Sequence, residues 1–220
     1  ALRVKRTFFF FQIISHNLNI LLNNIMKSRK FINFSIAIFI VAGLILFIGK
    51  KEWFPDFYNP DFMSAISFIG ALIIILPSFL FKSENPNKQK AVIKIQNVFA
   101  AALILNGIGS LGGFKLYLIG FEYDKLVHFL VSFILFFGLV GFISDWKEIS
   151  YKKAAVISII IIFSSGVAWE ILEFLFDFFF KTQTSGVYGK DVIKDTAFDL
   201  IYNILGLLSA TLLKTRKVNP

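Results

Sequence analysis

The 220-residue sequence contains no cysteine. That excludes a disulfide framework and any thiolate metal site, so a bound metal would have to use oxygen or imidazole ligands. Also missing are a P-loop, an HExxH pair, a GxSxG elbow and a dinucleotide-binding glycine fingerprint. The glycines of NGIGSLGGF (Asn106, Gly107, Gly109, Ser110, Gly112, Gly113) therefore give no phosphate-cradle signal. Small residues at that density predict close helix approach, with a broken, substrate-binding helix as the alternative. No small-residue cleavage site follows the first apolar run, so a signal peptide is not expected. Polar connections are short throughout, which leaves no room for a soluble domain.

What the chain has in excess is apolar surface. It is 56% hydrophobic, with 29 phenylalanines and a mean hydropathy of +0.72. A soluble domain of this length could not hide that excess in one core, so the composition indicates a membrane protein. The net charge of +9 would suggest a nucleic-acid partner in a soluble chain. Here Lys and Arg cluster at the ends of apolar runs, and no nucleic acid is expected.

A membrane span needs roughly 20 apolar residues. Six stretches qualify: Phe31–Ile48, Phe62–Phe81, Ile95–Phe114, Leu126–Ser144, Ala154–Phe180 and Thr196–Leu213. The expected fold is all-α, a polytopic bundle of six transmembrane helices forming a single domain over residues 26–220. Residues 1–25 read as an interfacial amphipathic helix or as an upstream extension without a functional role. Basic residues are denser in alternate loops (Lys82, Lys88, Lys90 and Lys94, then Lys147, Lys152 and Lys153), and Lys27, Arg29 and Lys30 precede the first span. The positive-inside bias predicts cytoplasmic termini and an inner or plasma membrane location.

Against this background Asp124, His128, Glu170, Glu173, Asp195 and Asp199 stand out. An ionisable group in the hydrocarbon region costs a few kcal/mol at the centre on insertion scales, so it calls for a partner or a purpose. Each of three spans carries a polar pair three or four residues apart, on one helix face. The predicted topology places all three pairs in the outer half of the bilayer, with Glu170 and Glu173 roughly 12–17 Å below the outer end of their helix at 1.5 Å per residue.

Plainer readings stand beside that one. Asp124 suits the N-terminal turn of a helix, and His128 alone would more often be a packing residue than a ligand. Asp195 could cap the sixth helix, with Asp191 in the preceding loop. Trp169 reads as packing around the site. Lys115, Lys125, Lys181, Lys190 and Lys194 read first as ordinary interfacial lysines, with attraction of an anionic group at the outer face as the alternative. No cap or interface role fits Glu170, Glu173 and Asp199 at their depth.

At these residues the chain resembles the YjdF-type family of uncharacterised multi-pass bacterial membrane proteins and, more distantly, the VanZ-like family. The shared order is Asp124-x-x-x-His128, then Trp169-Glu170-x-x-Glu173-Phe174. An acidic run through Asp191, Asp195 and Asp199 then ends in Gly206. The even spacing of those three aspartates departs from the tighter acidic step usual in YjdF-type members. The resemblance implies that these polar residues form one site; it names no substrate.

Carboxylates crowded into one low-dielectric pocket cannot all be ionised unless something positive sits among them. The leading expectation is a metal-dependent membrane enzyme, hydrolytic in type, acting on a lipid or lipid-linked headgroup. His128, Glu170, Glu173 and Asp199 would hold a divalent ion, with Zn, Mn or Fe suited to mixed carboxylate and imidazole ligands. Asp195 or Asp124 would serve as general base or support the ligands. The alternative is a proton- or cation-coupled transporter using the same carboxylates, and a third reading is a non-catalytic envelope or assembly factor. Membrane lipids are the expected surroundings, and the oligomeric state is not set by the sequence.

Overall fold

The computed structural model describes residues 29–53, 59–111, 113–180 and 191–215. The reading of residues 1–25, and the lysines at 181 and 190, lie outside the described residues. The described residues form six α-helices: α1 (Arg29–Ile48), α2 (Pro60–Leu80), α3 (Pro86–Ser110), α4 (Tyr123–Lys147), α5 (Tyr151–Phe180) and α6 (Val192–Thr215). Short 3-10 turns occupy Lys51–Trp53 and Gly113–Ile119, and no strand occurs among the described residues. All six helices are long and apolar enough to cross a membrane. Large side chains such as Phe47, Leu72, Phe79, Ile160 and Phe178 are more than half exposed, as expected where lipid rather than water covers the surface.

All six helices differ from the hydropathic spans by some residues at one end or both, and for α3 and α6 the local reasons are plain. α3 starts nine residues before Ile95, because Asn85 caps it by accepting a hydrogen bond from the Asn87 N–H and Pro86 fits the first turn. Its opening turns carry Lys88, Lys90 and Lys94, whose long stems can lie along the helix while their charges reach the interface. α3 also stops at Ser110 rather than Phe114. A Cβ on Gly109 would collide with the Phe114 ring, and one on Gly113 would come within 3.0 Å of the Ile108 carbonyl oxygen. The glycine patch thus lets the chain turn back tightly on its own helix end. Tyr123, at the start of α4, pins that turn by donating its hydroxyl to the Leu105 carbonyl at 2.8 Å. α6 begins four residues before Thr196, where Asp191 accepts from the backbone N–H groups of Ile193 and Lys194.

α4 is the central and most buried helix, packed on α3, α5 and α6. Its lower half forms the main core, with Phe133, Phe136 and Val140 set against Ala91, Val98, Ile162, Leu207 and Ala210. Two glycines allow these approaches. Gly138 of α4 receives the Val98 side chain of α3, where a Cβ would lie 2.6 Å from a methyl carbon. Gly206 of α6 faces the Phe129 carbonyl of α4 so closely that any Cβ would overlap the oxygen. That contact brings the acidic face of α6 against the polar face of α4. α1 and α2 pair separately, with the Ser64 hydroxyl donating to the Gly43 carbonyl at 2.8 Å. They join the main core through α3, where Gln96 donates to the Ile74 carbonyl one turn from Pro77, and through Phe81, whose ring packs on Phe142 and Trp146 of α4.

Helix order sorts the charges between the two ends of the bundle. Arg29, Lys30, Lys82, Lys88, Lys90, Lys147, Lys152 and Lys153 lie at or near one end. The other end carries Lys50, Lys115, Lys125, Lys194 and every residue of the acidic cluster.

Candidate functional site: a carboxylate cluster around a buried lysine

α4 and α6 run in the same direction from the acidic end, and α5 runs against them. One turn of helix therefore matches one step of polar residues on each. α4 offers Asp124 and Lys125, then His128, then Ser132. α6 offers Asp195, Asp199 and Asn203, while α5 offers Glu173, Glu170 and Gly166. The α4 and α6 residues lie on single faces at spacings of three or four. The result is a stack of three polar layers.

The outermost layer is organised by Lys125, which is only 7% exposed. Its ammonium donates to Asp124 Oδ2 at 3.0 Å, to Asp195 Oδ1 at 2.7 Å and to Asp199 Oδ1 at 2.7 Å. An ammonium has three protons to give, and each has a carboxylate oxygen within reach. The interfacial-lysine reading of Lys125 is thereby corrected. Lys125, His128 and Ser132 share one helix face at spacings of three and four, which is the sequence signal for this placement. Asp195 does not cap α6 either; Asp191 does so, and Asp195 reaches across to α4.

The middle layer holds His128, Asp199 and Glu170, all buried. His128 Nε2 lies 3.5 Å from Asp199 Oδ1 and 3.6 Å from Asp124 Oδ1, while Nδ1 faces Glu170 Oε1 at 3.9 Å. These separations are longer than hydrogen bonds. One ligand atom each from Asp124, His128 and Asp199 falls within 4.8 Å of the other two, a spacing on which a metal ion could sit. Glu170 is 6% exposed, and its Oε1 has no hydrogen-bond partner. A carboxylate oxygen without a hydrogen bond at such depth is costly, and His128 Nδ1 at 3.9 Å offsets only part of that cost.

Glu173 flanks the cluster, close enough for its carboxylate to feel Glu170, Asp124 and His128. Its Oε1 accepts the indole N–H of Trp169 at 2.6 Å, on the more exposed side of α5. Trp169 is itself 37% exposed, so this pair forms the lipid-side rim of the cluster.

The innermost layer closes the site. Ser132 donates its hydroxyl to Asn203 Oδ1 at 2.8 Å, both residues being buried. Gly166 makes space for the Asn203 amide, since a Cβ there would lie 2.9 Å from Nδ2. Beneath this pair come Phe133, Phe136, Leu207 and Ala210. The polar column ends at Asn203.

Charge defines what the cluster lacks. Asp124, Asp195, Asp199 and Glu170 face one lysine and one histidine. Four carboxylates and a single ammonium cannot all stay ionised in a buried volume without further positive charge. Protons or a bound cation must supply it, and the donor set of carboxylates and imidazole suits a divalent ion of the Zn, Mn or Fe type.

No curated protein and no solved structure matches the chain. A family model described as "Predicted membrane protein (DUF2238)" matches residues 31–219, nearly the whole sequence and all the helices that build the site. The chain belongs to this family of predicted membrane proteins, the one that contains the YjdF-type members.

Proposed function

We propose that this multi-pass membrane protein binds a divalent cation at Asp124, His128, Asp199 and Glu170, and uses it in a metal-dependent enzyme acting on a lipid or lipid-linked headgroup. The observation that carries the reading is geometric. Three ligand atoms from two helices lie within 4.8 Å of one another, and beside them the buried Glu170 Oε1 accepts no hydrogen bond. A cation at this position would satisfy that oxygen and offset the surplus negative charge. When bound, a Zn or Mn ion supplies Lewis-acid chemistry, polarising a phosphoryl oxygen or acidifying a water.

The protein's own residues do the rest. Lys125 fixes the rotamers of Asp124 and Asp199 through two short hydrogen bonds. Asp195, held against the same ammonium, stands at the entrance and can accept a proton from a nucleophile arriving from the interface. Glu173 and Trp169 line the side that faces lipid. The site lies at the end of the bundle with fewer basic residues, which under the positive-inside rule is the outer side of a plasma membrane.

The blind floor favours an enzyme over a transporter. A pathway would need polar groups beyond Asn203, where the core of Phe133, Phe136 and Leu207 stands instead. Metal analysis of the purified full-length protein tests the proposal. The wild type should carry one divalent ion per chain, and Glu170→Ala and His128→Ala should carry far less. Equal and negligible metal in all three would sink it.

A further inference from the structure

The acidic cluster contains more carboxylate than one ion requires, and the surplus is gathered around Lys125. Three aspartate oxygens surround its Nζ at 2.7, 2.7 and 3.0 Å. Three acceptors about one nitrogen are the complement of a primary ammonium group, which donates three hydrogen bonds. A quaternary ammonium, with no N–H, could not use them. Asp195 appears in this seat and not in the trio formed by Asp124, His128 and Asp199. The orphaned Glu170 Oε1 lies on the other side, against His128 Nδ1. The two groupings share Asp124 and Asp199 and differ in the rest.

We infer that the cluster has two cation seats side by side, and that the outer one, built by Asp124, Asp195 and Asp199, is a primary-ammonium seat permanently filled by the tethered Lys125. Lys125 is a positioning residue that limits the cluster to one external ion and holds Asp124 and Asp199 toward the inner seat. Emptied of its lysine, the outer seat takes a free primary ammonium or a second divalent cation. Only the ion count of the wild type rests on the function proposed above; the ammonium seat stands on the lysine geometry alone.

The test uses the full-length protein in detergent, with Mn²⁺ and ethylammonium as probes and tetramethylammonium as control. The wild type should bind one Mn²⁺ per chain whatever amine is present. Lys125→Ala should bind two, and ethylammonium should return it to one and raise its melting temperature, whereas tetramethylammonium should do neither. If Lys125→Ala matches the wild type in Mn²⁺ count and ethylammonium neither changes that count nor stabilises it, the second seat is overturned. A wild type that binds no Mn²⁺ beside a Lys125→Ala protein that binds one, displaced by ethylammonium, refutes the enzyme's metal site and upholds the ammonium seat. Should Lys125→Ala fold only when purified with ethylammonium, the seat is supported; failure to fold with any amine counts against it. Asp195→Asn gives a second measure, since it removes a carboxylate from the outer seat alone. It should keep the wild-type Mn²⁺ count, and loss of the ion would overturn the division into two seats.

Discussion

Lys125 Nζ and Asp199 Oδ1 lie 2.7 Å apart in the interior of the bundle, joining α4 to α6 across 74 residues of sequence. The same oxygen stands 3.5 Å from His128 Nε2. Asp199 is therefore where the lysine seat and the imidazole meet. Asp199→Ala leaves the Lys125 ammonium two carboxylates and one buried proton without an acceptor, a loss of about 1–3 kcal/mol. Asp199→Ala should accordingly lower the melting temperature in detergent more than Asp195→Ala, because Asp195 lies nearer the helix end and is less buried. Equal effects would place the weight of the pair elsewhere.

The two glutamates of α5 should separate cleanly. Glu170→Gln removes a charge from the buried oxygen that faces His128, whereas Glu173→Gln keeps an acceptor for the Trp169 indole on the lipid side. The first should weaken divalent-ion affinity by at least the roughly 10–100-fold typical of residues that support a ligand. Glu173→Gln should leave it within a factor of a few. Isothermal titration of both variants checks this, and a larger loss in Glu173→Gln would move that residue into the ion site.

Gly206 lets α4 and α6 touch. Its missing Cβ would overlap the Phe129 carbonyl and come within 3.2 Å of Ser132 Cβ. Backbone cannot yield as a side-chain tip can, so Gly206→Ala must push the helices apart. Overpacking of this kind costs about 1–3 kcal/mol. The same variant should lose divalent-ion binding although residue 206 contacts no ligand. Ion affinity measured beside thermal stability shows whether both fall together.

Asn203 tests the floor of the site. Asn203→Leu keeps the volume but strips the acceptor from the buried Ser132 hydroxyl, a loss of about 1–3 kcal/mol. If the site ends at this layer, ion stoichiometry should not change. A change in stoichiometry, or the appearance of ion flux in proteoliposomes, would revive the transporter reading.

Removal of the ion gives the last prediction. A ligand present at 100 times its dissociation constant stabilises the folded state by about 2.7 kcal/mol. EDTA should therefore lower the melting temperature of the wild type and leave His128→Ala unmoved. Because imidazole and carboxylate ligands must be deprotonated to bind, acidification should weaken the ion and shrink the EDTA effect.

Much of the fold was legible along the chain, because a membrane span announces itself by length and hydropathy. The boundaries that slipped furthest were those set by caps and glycines. Asn85 with Pro86 starts α3 in a charged stretch, and the Gly109–Phe114 contact ends it early. Of the site, the polar pairs on α4, α5 and α6 were visible as residues too costly to bury without purpose. Their division of labour was not. Glu170 and Glu173 are equally anomalous as letters, yet one faces His128 and the other faces Trp169. Three residues turn a helix by about 300°, only about 60° short of a full turn, so both glutamates stay on one side of α5 and it is the Trp169 indole that sets Glu173 apart.

Hydropathy and helical period are properties of each segment alone, so the order of residues is enough to reveal a membrane chain with six candidate spans and the side chains that would be expensive inside it. The same order also places the acidic pairs at one end of the bundle, because alternating spans leave no other arrangement. Which charges meet depends on how the helices pack. Lys125 reads as an interfacial lysine until Gly206 brings α6 against α4 and three aspartates close around it. The reason is physical. A buried charge takes its meaning from neighbours a few ångströms away, and those neighbours come from helices that only packing brings together.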